Sequence, residues 1–234
     1  MNAPRDPIDP IDPINPVDAV DAQDQARADL YALLAALLLQ PPAQSLLTAL
    51  ANDSGRTIAG DGALAAAWQR LGQASAATTT AVVASEFDAL FIGVGTPQVN
   101  PYGSHYLAGF MMEKPLAALR DDLHALGLGR RQSCRELEDH LGATCEAMRL
   151  LIAGSLDQAG RDIASQRTFF LKHLSPWYAR CCDDIRRARG ASYYLCVADF
   201  AQAFFDVEFE AFAVEDDWVD APAAPAFTTK DLYG

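Results

Sequence analysis

The segment from about Ser192 to Phe212 constrains the fold more than any other part of the chain. Leu195, Val197, Phe200, Phe204, Phe205, Phe209 and Phe212 cover nearly the whole circumference of a helix. Only Asp199, Gln202, Asp206 and Glu210 form a polar strip. A helix that is apolar almost all round must be enclosed by other elements. The rest of the chain therefore has to supply a shell around it.

The shell is legible as further helices. Leu30, Leu33, Leu34, Leu37 and Leu38 recur at the spacing of one helix face, and Pro41-Pro42 ends that run. Shorter helices are expected over about 43–51 and 62–72. A longer one is expected over 76–92, with Val83, Phe87, Leu90 and Phe91 as its stripe and Gly93 as its stop. The spacing predicts one helix over 106–126, with Pro115 marking a kink or a restart. Ser133-Cys-Arg-Glu136 has capping-box spacing. The helix it opens would carry Leu137, Leu141, Cys145, Met148 and Ile152 on one face. Residues 161–189 read as helical with an interruption at Ser175-Pro176, where Ser can cap and Pro can fill the first turn.

No alternating strand pattern with turn chemistry at both ends occurs. The expected fold is all-α, a single globular helical domain of roughly eight to ten helices with one long loop at about 93–105. Its bounds are about 21–213. Before it, residues 1–20 repeat Asp-Pro-Ile, which forbids a helix and favours an extended, disordered tail. After it, 214–234 form an acidic, Pro-containing tail.

Composition narrows the function. The net charge of −13 disfavours nucleic acid, which needs a basic footprint, and favours basic partners. No apolar run approaches a membrane span, and Asp stands where a signal peptide would carry Lys or Arg, so a cytoplasmic protein is expected. Five cysteines form no Cys-x-x-Cys pair and read as reduced, mostly buried thiols. No metal or cofactor is expected, and no phosphate loop, nucleophile elbow or zinc-helix motif is present.

Two places stand out. The loop brings Thr96, Pro97, Asn100, Pro101, Tyr102, Ser104 and His105 together after Phe91. Prolines lower the entropy lost on ordering, and Tyr and His offer flat amphipathic surface. The second is Glu138-Asp139-His140 in the first turns of the expected helix. Glu138 and His140 would flank the apolar face, and Asp139 would point away from it toward a cationic ligand. A hydrolase using Asp139 and His140 is the enzymatic alternative, but no nucleophile motif accompanies the pair. His173-Leu-Ser-Pro176-Trp177 joins two helical segments and reads as structural, with Trp177 a core anchor.

These motifs, in this order, resemble the TorD/DmsD/NarJ family of redox-enzyme maturation chaperones. The likeness runs through Glu86-Phe87-x-x-Leu90-Phe91-Ile92-Gly93, Pro101-Tyr102-x-Ser104-x-Tyr106, Glu138-Asp139-His140-Leu141 and Phe170-Leu-x-His173-Leu-x-Pro176-Trp177. It spans about residues 25–213. Two departures are Tyr102, where members often have Trp, and Leu137, where they often have Pro. The resemblance implies a non-enzymatic, cytoplasmic chaperone for the catalytic subunit of a molybdenum-cofactor oxidoreductase, of formate dehydrogenase or sulfoxide/N-oxide reductase type. Such a chaperone binds the twin-arginine leader or the apo-subunit, assists cofactor insertion and delays export. The alternative within this reading is an adaptor subunit retained in the complex. The implied peptide-binding residues are Phe91, Pro97, Pro101, Tyr102, Ser104, His105, Glu138, Asp139 and His140. Glu86, Phe87, Leu90, His173, Pro176 and Trp177 would be structural. The chain is expected to be a monomer or homodimer.

Overall fold

The structure is a computed structural model that describes residues 16–53, 62–93, 96–129, 136–154 and 160–219, with side chains from 22 to 213. Ten α-helices form among the described residues, and no strand does. They are α1 (Pro16–Leu39), α2 (Gln44–Asp53), α3 (Ala63–Ala76), α4 (Thr80–Phe87), α5 (Gly103–Ala108), α6 (Lys114–Ala125), α7 (Leu141–Ala153), α8 (Ile163–His173), α9 (Tyr178–Arg187) and α10 (Tyr193–Val219). A π-helical turn, Asp88–Ile92, continues α4.

α10 lies at the centre, packed against α3, α9, α4 and α1. Phe200, Phe204, Phe205 and Phe212 are buried, whereas Phe209 is 43% exposed on the polar side. That polar strip pairs with α9: Arg186 donates to Asp199 at 2.8 Å and to Gln202 at 2.8 Å, and Tyr178 donates to Asp206 at 2.6 Å. α1 packs along α7 through its leucine stripe, with Tyr31, Leu34, Leu37 and Leu38 fully buried. The single core takes in side chains from α1, α3, α4, α7, α8, α9 and α10.

A buried carboxylate, Glu208, also holds α1 to α10. Arg27 donates to its two oxygens at 2.8 and 2.9 Å, and the Tyr31 hydroxyl adds a third bond at 3.0 Å. Burial and the neighbouring Glu208 carboxylate push the Tyr31 hydroxyl's pKa well above its ordinary value. Sequence spacing did not single out Glu208, because it falls on the apolar side of α10.

Several boundaries differ from expectation. α1 starts at Pro16, so the helix takes in the last residues assigned to the tail, and Pro suits a first helical position. Residues 1–15 lie outside the described residues. α10 runs to Val219, past the expected start of the C-terminal tail, whose residues from 220 are likewise outside. The helix expected over 106–126 is two. α5 starts earlier, at Gly103, and stops at Gly109, which takes φ +83°. α6 restarts with Pro115 in its first turn. α7 begins at Leu141, not at Ser133. Ser133, Cys134 and Arg135 are outside the described residues, and Glu136 precedes the helix. The N-cap of α9 is Trp177, which makes no side-chain cap bond, so the expected Ser175 cap does not form.

Candidate functional site

The long loop leaves the π turn at Gly93. That glycine sits at φ +59° and donates to the Asp88 carbonyl at 2.7 Å, closing the wider helical ring. A side chain there would also strike Pro97 and the Thr96 carbonyl. The loop is then tied down along its length. Val99 donates to the Leu90 carbonyl at 3.0 Å, and the Gln98 side chain reaches both Ala89 and Arg189. The Glu86 carboxylate accepts from the amides of Ser192, Tyr193 and Tyr194, the open start of α10. Helix starts leave these donors orphaned, and a carboxylate is well placed to satisfy them.

Past Pro101 the loop meets the segment before α7. Tyr102 and His140 form an isolated antiparallel bridge: Gly103 donates to the Asp139 carbonyl and Leu141 to the Pro101 carbonyl, both at 2.8 Å. This extended pairing keeps residues 139–140 out of a helix, which is why α7 starts late. The side chains add to it. Asp139 Oδ2 accepts from the Ser104 amide at 2.8 Å and from the Ser104 hydroxyl at 2.5 Å. His140 caps α7, its Nδ1 accepting from the Gly142 amide at 3.0 Å. The Tyr102 hydroxyl donates to Glu136, and the Tyr102 ring meets the His140 ring edge-on.

Asp139 and His140 are therefore buried, 3% and 5% exposed, whereas helical spacing points Asp139 away from the apolar face and sets His140 at its flank. Burial lowers the His140 pKa to about 4 against the opposing pull of Glu136 and Asp139, so the ring is neutral at physiological pH. Its Nδ1 is committed to α7, and Asp139 is committed to Ser104 directly. No imidazole stands between serine and carboxylate, the geometry a hydrolase would need. One atom is left over: Asp139 Oδ1 is buried with no hydrogen-bond partner among the described residues.

The other expected residues fall into place around this junction. Glu138 takes two hydrogen bonds from Arg120, at 3.0 and 2.8 Å, linking α6 to the segment before α7. His105 packs edge-on to Tyr106, which stacks on the buried Trp177 at 5.6 Å. Trp177 packs closely over Gly103, where a Cβ would lie 3.2 Å from its indole and press the ring to shift. The Trp177 Nε1–H donates to the His173 carbonyl at 2.6 Å. Phe91 packs instead with Phe87 and Tyr194, Leu90 is buried, Pro97 covers Gly93, and Pro176 is exposed.

Four residues that spacing did not single out are exposed beside the junction. Phe110 is 73% and Met112 69% exposed, with Met111 and Leu107 also in solvent. They form an apolar lip between α5 and α6. Met112 adopts φ +62°, a conformation that disfavours a side chain, and its amide donates to the Ser104 hydroxyl at 3.2 Å. The same hydroxyl therefore joins the lip to Asp139. Reading one helix over 106–126 hid these residues; Gly109 before three apolar residues and Pro115 after them was the available signal. Under the lip, Gly103, Ser104, Leu107, Pro115, Asp139 and His173 line a cavity of about 140 Å³.

A family model described as nitrate reductase delta subunit matches residues 59–183, more than half of the chain. The chain belongs to that family. It is a family of non-catalytic, NarJ-type maturation chaperones for redox enzymes, within the wider group that the sequence resembles. A crystal structure of a candidate redox enzyme maturation protein from Archaeoglobus fulgidus shares the fold, with a TM-score of 0.51 at 17% identity. The match covers 78% of this chain and 93% of that one. No curated protein matches the chain. No helix among the described residues is long and apolar enough to cross a membrane, and no group of three His, Cys, Asp or Glu among them could hold a metal.

Proposed function

We propose that this chaperone acts in the cytoplasm on the catalytic subunit of a nitrate-reductase-type molybdenum oxidoreductase. It binds the N-terminal segment of that subunit, a twin-arginine leader or its equivalent, or the apo-subunit itself. Holding it there assists cofactor insertion and delays export. The observation that carries this reading is the lip: Leu107, Phe110, Met111 and Met112 are exposed, and the Met112 amide is tied to the buried Ser104–Asp139 pair. Met-rich exposed surface adapts to apolar segments of varied shape. The net charge of −13 attracts the cationic part of such a segment.

In this reading the expected site divides in two. Pro101, Tyr102, Ser104, Glu138, Asp139 and His140 shape and hold the site, and the lip makes the contact. The test is co-purification with the catalytic subunit of a nitrate-reductase-type molybdenum oxidoreductase from the same organism, and titration of its labelled N-terminal peptide. Phe110→Ser with Met112→Ser should weaken binding about tenfold or more while the fold stays intact. Unchanged affinity in the folded double variant removes the lip from the site. The family's description as a subunit favours one second reading, an adaptor that stays in the mature complex. Stoichiometric presence in purified holoenzyme would select it.

A further inference from the structure

Two cavities follow one another along a groove between α6 and α8, and Leu107 of the lip borders the first. α6 and α8 run antiparallel on either side of the groove: Pro115 and Leu119 face Lys172 and His173 at one end, and Ala125 and Leu126 face Ala164 and Ser165 at the other. The second end opens into a larger cavity of about 370 Å³, floored by Phe169 and Thr168. Lys172 lines both cavities, so it stands at the partition. There Asp122 of α6 accepts two bonds on one oxygen, Oδ2, from Lys172 Nζ at 2.6 Å and from His173 Nε2 at 2.6 Å. A carboxylate only accepts, so His173 presents its proton on Nε2.

We propose that the Asp122–Lys172 bridge is a latch across this groove, and that a Lys or Arg side chain of the client segment replaces Lys172 on Asp122. This rests on the proposed function and adds to it a specific cation subsite and a means of opening. The two partners of the bridge differ in character. Lys172 is half in solvent, 52% exposed, and can swing away at little cost. Asp122 is more enclosed and is held through the same oxygen by the buried His173, so it stays when Lys172 leaves. Departure of Lys172 joins the two cavities into one channel. Leu119, Leu126 and Phe169 then receive apolar side chains on either side of the client's cation. An apolar segment with a basic residue meets both demands. An acidic one would face Asp122 and the negative protein.

The test uses the full-length protein and a fluorescein-labelled peptide of Arg-Arg followed by ten Leu and Ala residues, with a Gln-Gln peptide as its partner. Fluorescence anisotropy should show Lys172→Gln binding the Arg peptide about threefold tighter, because a competing cation is gone. Asp122→Asn should weaken it about tenfold, as expected for loss of a charge-assisted bond. In the double variant the gain from Lys172→Gln should vanish, since both act on one oxygen. The Gln-Gln peptide should respond to none of them. The latch is overturned if Lys172→Gln leaves binding unchanged or weakens it, or if its gain survives in Asp122→Asn. Melting curves identify any variant that has lost its fold; Lys172→Gln keeps the Asp122–His173 bond and carries the test alone if Asp122→Asn unfolds. If lip variants abolish binding and the latch variants do nothing, only the latch falls. If the wild-type protein binds neither peptide, the latch and the leader-binding form of the proposed function both fall, and co-purification decides the apo-subunit form.

Discussion

Replacing Asp139 separates a scaffolding role from a contact role. In Asp139→Ala the Ser104 amide and hydroxyl lose their shared acceptor, and Ser104 is fully buried, so a replacement can come only from water ordered in the adjoining cavity. A buried donor left unsatisfied costs about 1–3 kcal/mol. Two of them, less some relief from removing the unpartnered Oδ1, give a loss of about 3 kcal/mol. For a domain of this size that lowers the melting temperature by about 6–12 °C. Asp139→Asn keeps one acceptor oxygen where Oδ2 lies and removes a buried charge. It should cost only about 1 kcal/mol, the charge assistance of the bonds. Urea titrations followed by circular dichroism measure both, and hydrogen exchange should show amides 103–112 opening first in the alanine variant. An alanine variant within about 1 kcal/mol of wild type would refute the argument. So would an asparagine variant as damaged as the alanine one.

Three further outcomes follow from other parts of the fold. His140 has a folded pKa of about 4 against 6.5 unfolded, so its contribution is complete above pH 6.5 and is lost as pH falls toward 4. The urea midpoint should drop over that window by the equivalent of about 3 kcal/mol, and His140→Asn should flatten the dependence. Glu208→Ala leaves Arg27 buried without its main partner and should cost about 3–5 kcal/mol, read as a lowered urea midpoint. Met112→Gly relieves a left-handed backbone and should raise stability by about 1 kcal/mol while weakening client binding, two changes of opposite sign in one variant.

The helical shell and its central α10 were legible because apolar periodicity records burial directly. Leu34, Leu37, Leu38, Phe200, Phe204 and Phe205 all lie in the core. The candidate site was legible as residues but not as geometry. Asp139 and His140 looked like helix positions, and helix positions imply a facing direction. Their actual conformation is set by backbone bonds to Pro101 and Gly103, almost forty residues earlier, which no local pattern encodes. The lip was missed for a related reason: with the break at Gly109 overlooked, Phe110, Met111 and Met112 fell inside the single helix expected over 106–126. Glu208 was missed because a single carboxylate among phenylalanines gives no hint of Arg27, 181 positions away.

The three-amide grip of Glu86 on the start of α10 has a mechanical consequence. It fixes the entry to the long loop against the central helix, so any movement there would uncap the element around which everything else is packed. The far side of the loop is held as far as Tyr106 by the Tyr102–His140 bridge and the Ser104–Asp139 bonds, and the rim beyond it is tied back by the Met112 amide on the Ser104 hydroxyl. Deformation on engaging a client is thereby steered to residues 107–113, and the chaperone can reshape its rim while its central packing stays still.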